Sequence, residues 1–245
     1  MIGGLFARWR KTAPVFDAPL APAAPFAVIG DVHGCDALLA AMLAQLPQEM
    51  AVVLVGDLID RGEDSRAVID RVMGDARLIC LLGNHEAMAL AFLDDPVAQG
   101  PRWLRNGGLQ TLASFGVGAM RETADAFGLN TARDAFAEAL GPARIGWLRA
   151  RPLLWRSGNV AVTHAGADPG RPLDAQETRA LLWGHPEFGR RARDDGQWVV
   201  HGHVIVDAAQ AQAGRIAVDT GAYATGRLSA ALIGPDRVTF VTACA

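Results

Sequence analysis

Three times in the first ninety residues a short apolar run breaks at glycine into a polar motif: FAVI into GDVHG, AVVLV into GDLIDRG, and LICLL into GNHE. Runs of this length, rich in valine and isoleucine, predict strands buried on both faces, with glycine marking a sharp exit. A helical stretch follows each: Asp36 to Leu46, Asp64 to Met73, and Glu86 to Leu93. The strand–loop–helix rhythm predicts parallel strands whose C-terminal ends share one edge, where open α/β sheets collect ligands. Asp57, Asp60 and Arg61 fall at that edge, and charges beside a buried strand are costly unless something pairs with them.

From about residue 95 to 151 the pattern changes to helical segments punctuated by glycine, which predicts a helical cap inserted beside the edge. Strands return with PLLWRS and NVAVTH, joined through Ser157-Gly158-Asn159 as a hairpin. QWVVHGH follows, and then RIAVDTG, RLSAALI and RVTFVTA, which read as an antiparallel meander of three. The expected fold is α/β: a sandwich of two mixed sheets flanked by helices, forming one domain over residues 26–245. Prolines at 14, 19, 22 and 25 predict that residues 1–25 are a flexible arm outside the core.

With 20% charged residues and a net charge of -3, the chain gives no reason to expect nucleic acid or an anionic membrane as partner. Its three cysteines, Cys35, Cys80 and Cys244, show no CxxC spacing, which fits a reducing cytoplasm. The basic residues near Phe6 and Trp9 form at most a weak interfacial anchor.

The strand ends deliver Asp31 and His33, Asp57 with Asp60 and Arg61, Asn84 with His85, His164, and His201 with His203. One histidine after a strand is ordinarily a turn or core residue; five strand ends of this kind predict a metal centre. Mixed oxygen and nitrogen donors without thiolate suit manganese, iron or zinc. Six ligands exceed what one catalytic ion with an open position takes, and they suit two. Asp57, on the central strand, is the natural carboxylate bridge.

GDVHG at 30–34, GDLIDRG at 56–62, GNHE at 83–86, HAG at 164–166 and GH at 202–203 occur in the order found in calcineurin-like metallophosphoesterases. Within that superfamily the chain resembles the bacterial and phage PPP-type serine/threonine protein phosphatases, with symmetrical dinucleoside-tetraphosphate hydrolases as near relatives. The resemblance implies a metallophosphoesterase-type sandwich and two divalent ions, Mn2+ before Fe or Zn. It places Asp31 and His33 on the first ion, Asp57 on both, and Asn84, His164 and His203 on the second. It further implies attack by a metal-bridging hydroxide on phosphoserine or phosphothreonine in a phosphoprotein. Arg61 and Asn84 would hold the phosphate, His85 would donate a proton to the leaving group, and Asp60 would orient His85.

One departure stands out. Relatives often carry an arginine after LLW, whereas this chain reads LLWGHPEF, leaving either Arg105, Arg190 or Arg191 as a replacement or no second phosphate clamp at all. His185 reads as a rim residue and Tyr223 as a packing residue. WLRNGG at 103–108 reads equally as a capped helix end and as a segment near the site.

Overall fold

A computed structural model describes residues 16–118 and 120–245 of the 245-residue protein. The three expected units form: β1 (Phe26–Ile29) leads to α1 (Asp36–Gln45), β2 (Ala51–Leu54) to α2 (Ser65–Gly74), and β3 (Leu78–Cys80) to α3 (Asn84–Asp94). β1 pairs in parallel with β2, and β2 with β3, which brings their C-terminal ends to one edge. Helix α3 starts two residues earlier than its apolar pattern predicts. Glu86 folds back to accept the Gly83 N–H at 2.9 Å, so the helix begins at Asn84 and carries Asn84 and His85 on its first turn.

Helices fill the next stretch: α4 (Pro96–Trp103), a π-helical turn (Leu104–Gly108), α5 (Leu109–Ser114) and α6 (Ala126–Arg149). Helix α6 breaks at Gly141, where φ is 75° and Pro142 follows without an N–H to donate. The hairpin of β4 (Leu154–Ser157) and β5 (Val160–Thr163) turns at Gly158. After α7 (Thr178–Trp183) come β6 (Trp198–His201), β7 (Gln210–Gln212), β8 (Arg215–Ala217), the short α8 (Ala222–Thr225), and the long hairpin of β9 (Arg227–Gly234) and β10 (Arg237–Cys244).

These strands make two mixed five-stranded sheets, ordered β10-β9-β1-β2-β3 and β4-β5-β6-β8-β7. The expected sandwich is therefore present, but the meander of three is not. β8 runs parallel to β6 in the second sheet, and only β9 and β10 pair as a hairpin in the first. The chain crosses between sheets after β8: β9 pairs along its edge with β1, while Ile216 of β8 is buried in the core between the sheets.

Alternation along the strands divides the core. Phe26, Val28, Val53 and Val55 face Val160, Val162, Val200 and Ile216 between the sheets, while Ala27, Ile29, Val52 and Leu54 pack under the helices. This is why β1 and β2 show no polar alternation: both faces of the first sheet are covered.

Residues 16–25 form neither helix nor strand, in keeping with their prolines, yet they are not a free arm. Leu20 is 5% exposed within the inter-sheet core, Phe16 meets Trp198 edge-on at 5.1 Å, and the Trp198 indole donates to the Ala18 carbonyl at 3.0 Å. The Asn159 side chain accepts the Ala21 N–H and donates to the Pro19 carbonyl, which holds the segment along the hairpin turn. The Phe6–Trp9 stretch lies outside the described residues. No helix among the described residues is long and apolar enough to cross a membrane.

Candidate dinuclear metal centre

The strand-end residues named above, His201 apart, arrive at one place. Five of them, His33, Asp57, Asp60, Arg61 and His203, adopt positive φ, between 47° and 71°. That conformation is strained for residues other than glycine and collects at functional sites. The loops are kept in it from beneath. Both oxygens of the fully buried Glu86 accept backbone N–H groups: Asp57 at 2.8 Å and Gly83 at 2.9 Å on one, Leu58 at 2.7 Å and Ile59 at 3.3 Å on the other. Burial raises this carboxyl to about 7, with neighbouring Asp57 adding to the shift. Gly83 has no room for a side chain, since a Cβ there would overlap Asp57.

Two ligand clusters share Asp57. His33, Asp57 and His85 form one, and Asp57, His164 and His203 the other, with ligand atoms within 4.8 Å of one another in each. His164 Nδ1 lies 3.1 Å from the Val55 carbonyl and His33 Nδ1 lies 2.8 Å from that of Ile59, so each Nδ1 carries the proton and each Nε2 offers a lone pair. Burial keeps both rings neutral, bringing His33 down to about 3 and lowering His164 as well. His203 is lowered to about 4, by burial and then by His164.

His164 Nε2 then sits 2.7 Å from Asn84 Oδ1, 3.2 Å from His203 Nδ1 and 3.5 Å from Asp57 Oδ2. Lone pairs converge there with no proton assigned between His164 and Asn84 or Asp57, an arrangement that a cation relieves. Negative charge accumulates too. Burial, then Asp219 and Asp57, raise Asp31 well above the carboxylate range, and burial raises Asp219 to about 6. Burial also works against ionised Asp57, but the facing imidazoles of His164, His85 and His33 bring it below its usual value. The donor set thus fits divalent cations in charge, chemistry and placement.

Asp31 falls outside both clusters. Its carboxylate accepts the His203 N–H at 3.1 and 3.2 Å, and Gly202 packs directly against it. His85 stands inside a cluster but is held from its far side, with Nδ1 2.7 Å from Asp60 Oδ2 and Nε2 3.9 Å from Asp57. Burial lowers the His85 pKa; Asp57 and the Asp60 hydrogen bond outweigh that and raise it. Asp60 is fully buried and accepts from Trp103 Nε1 at 2.9 Å and Thr111 Oγ1 at 2.6 Å. WLRNGG therefore lies at the site: the π-helical turn also directs the Gly107 carbonyl at the Arg61 N–H, 3.4 Å away, and Gly107 has φ 106°.

Arg61 Nη1 donates to Tyr223 Oη at 2.6 Å, its guanidinium carbon is 4.7 Å from that ring's centroid, and Nη2 lies 3.4 Å from His85 Nε2. Tyr223, 38% exposed and edge-on to His33 at 5.3 Å, belongs to the site rather than to packing. His201 is nearly buried, with Nδ1 turned to the Gly202 carbonyl, and is absent from both clusters. Arg190 and Arg191 lie near Glu187 and Asp194, at 3.8 and 3.7 Å, while Arg105 shares a cavity of about 440 Å³ with Arg61 and Tyr223.

Four residues escaped the sequence reading: Asp219, Glu86, Trp103 and Thr111. Asp219 directly follows an apolar run, RIAV, and the same strand-end rule finds it. Glu86 ends the GNHE motif. Trp103 and Thr111 lie 43 and 51 residues from Asp60; Trp103 opens the WLRNGG segment, whose role the sequence left undecided, and no local signal marks Thr111.

Comparison with known proteins agrees with this geometry. Residues 24–207 match the calcineurin-like phosphoesterase family. Serine/threonine-protein phosphatase 2 of Salmonella typhimurium is 29% identical over 217 residues, covering 82% of this chain and 89% of that protein. A symmetrical bis(5'-nucleosyl)-tetraphosphatase of Acidovorax is 31% identical over 163 residues, 62% of this chain and 47% of that protein. The crystal structure of a putative diadenosine tetraphosphatase shares the fold, with TM-score 0.63 and 21% identity over 93% of this chain and 99% of that one. With three-quarters of its length matched and a two-cluster Asp/His site at the strand ends, the chain belongs to the calcineurin-like phosphoesterase family and is a metallophosphoesterase, a hydrolase.

Proposed function

We propose that the protein is a dinuclear-metal-dependent phosphomonoesterase acting on phosphoserine and phosphothreonine in proteins, in the reducing cytoplasm. The observation that carries the chemistry is the convergence of His164 Nε2, Asn84 Oδ1, His203 Nδ1 and Asp57 Oδ2, with Arg61 and the His85–Asp60 pair beside it. The Salmonella relative, matched over most of its length, supports the substrate class. In this reading residues 26–245 act as one unit, since both sheets supply ligands.

Asp31, His33 and Asp57 would hold one ion, and Asp57, Asn84, His164 and His203 the other, with manganese the metal we favour and iron or zinc competing for the same donors. When bound, such ions supply Lewis-acid charge and lower the pKa of a water from about 15.7 to roughly 7. Arg61 presents a planar pair of donors to the phosphoryl oxygens, preset by Tyr223 on one side. Asn84, with Oδ1 turned to His164, has its amide N–H2 left for a phosphoryl oxygen. His85 points Nε2 at the centre and gives its proton to the departing alkoxide. Asp60 keeps the ring oriented and protonated, and is itself locked by Trp103 and Thr111.

A second reading, hydrolysis of a symmetrical dinucleoside tetraphosphate, draws support from the Acidovorax match and would use the same residues on a phosphoanhydride. Incubation with Mn2+ and either a phosphopeptide or diadenosine tetraphosphate separates the two. Phosphate release from the peptide is expected; ADP from the dinucleotide with no peptide turnover would sink the first reading.

A further inference from the structure

A cavity of about 720 Å³ opens directly beside the centre, with His203 and Ala165, the neighbour of His164, in its wall. That volume is in the range of ligand pockets. The departure after LLW shapes it. Gly184, at φ 81°, has no side chain, and a Cβ there would meet only the Ala165 carbonyl at 3.4 Å, so the place where relatives often carry an arginine is empty space.

Trp183, Phe188 and Val204 give the cavity apolar walls. Arg179, on the first turn of α7, and Arg215, on β8, bring two positive charges to it. Among the described residues neither has a carboxylate within ion-pair distance, and the acid in the wall, Glu177, is engaged by Arg171 at 2.9 Å. Arg215 Nη1 donates to the Arg191 carbonyl at 3.3 Å. Burial lowers the Arg215 pKa, the mark of a cation short of solvation.

We propose that this cavity is a subsite for a second anionic group of the substrate, carried beyond the scissile phosphoryl. The proposal rests on the phosphopeptide reading, in which that group is an acidic or further phosphorylated residue flanking the phosphoserine or phosphothreonine. Its methylenes lie along Trp183 and Val204, and its oxygens meet Arg179 and Arg215.

The test is steady-state kinetics with Mn2+ on two phosphopeptides, identical but for acidic or neutral flanks, and on p-nitrophenyl phosphate. Wild type should favour the acidic peptide in kcat/KM by about tenfold, the worth of one hydrogen bond between charged groups. In Arg179→Ala/Arg215→Gln the ratio between the peptides should fall to about one, while Arg179→Lys/Arg215→Lys, which keeps both charges, should retain a preference. A wild-type ratio near one, or a ratio the neutral variant leaves unchanged, overturns the subsite.

Should neither peptide turn over while p-nitrophenyl phosphate does, the phosphopeptide reading falls. The subsite is then decided by diadenosine tetraphosphate against p-nitrophenyl phosphate in the same proteins. A ratio that drops in the neutral variant keeps an anion subsite, with the phosphate chain as its occupant. An unchanged ratio removes it.

Discussion

Thr111→Val is the sharpest probe of how the proton donor is held. Thr111 is fully buried, and its one hydroxyl hydrogen goes to Asp60 Oδ1 at 2.6 Å while its oxygen accepts the Asp60 N–H at 2.9 Å. Ser65 Oγ lies 3.1 Å from the same oxygen, and with the threonine hydrogen committed to the carboxylate, serine must be the donor in that contact. Valine keeps the shape and removes all three. The Asp60 N–H retains Ser65 Oγ at 3.1 Å, and the carboxylate retains Trp103, but one hydrogen bond to a charged group is lost and the Ser65 hydroxyl is orphaned. Together these cost about 2–4 kcal/mol. In a chain of this size each kcal/mol moves Tm by roughly 2–4 °C, so a fall of about 6–12 °C is expected for a mid-range loss. The assay is a thermal melt in EDTA beside one in Mn2+, with Thr111→Ser as the control that keeps the hydroxyl and should stay within about 1 kcal/mol of wild type. A Thr111→Val melt within 2 °C of wild type, using roughly the precision that scale allows, would refute the reasoning, and so would a serine variant as damaged as the valine one.

Other expectations concern the centre and its surroundings. Tyr223→Phe removes the oxygen that accepts from Arg61 and leaves the ring, so KM for a phosphomonoester should rise about fivefold, the value of roughly 1 kcal/mol, with kcat less affected; equal falls in both would place Tyr223 elsewhere in the cycle. Asp57→Asn should lose bound metal as well as activity, measured by metal analysis of dialysed protein, and two ions retained would contradict the shared carboxylate. His85→Asn should keep both ions and lose more activity on an alkyl phosphate than on p-nitrophenyl phosphate, whose leaving group needs no proton; equal losses would deny the acid role. Leu20→Ala should cost about 2–4 kcal/mol in denaturant unfolding despite its place in a proline-rich segment, because the side chain is buried between the sheets.

What could be read along the chain was whatever a local pattern encodes. An apolar run that ends in glycine and then acid or histidine is a strand and its C-terminal loop at once. Asp31, His33, Asp57, Asp60, Arg61, Asn84, His85, His164 and His203 were therefore nameable before their partners were, and parallel pairing of β1, β2 and β3 followed from the helices between them. The positive φ of five of these residues carries no such signature, since nothing in Asp or His demands it; Glu86 imposes it from below on the loop that carries Asp57.

Partnership across the chain was decided only in three dimensions. β8 and β9 read alike as short apolar strands, yet they joined different sheets, because a strand's neighbour depends on which apolar face is already waiting for it. Leu20 shows the same limit: prolines dictate an extended backbone but not the surface it lies along. Trp103 and Thr111 reach Asp60 because the end of helix α4 and helix α5 lay them over it, contacts between residues 43 and 51 positions apart. By itself the sequence determined the candidate donors, their order and the edge to which the strands deliver them. The tertiary structure decided which lone pairs face one another, which acids are stranded among them, and how large a cavity lies beside them, because distance and burial are set by packing between segments and not by the order of residues within one.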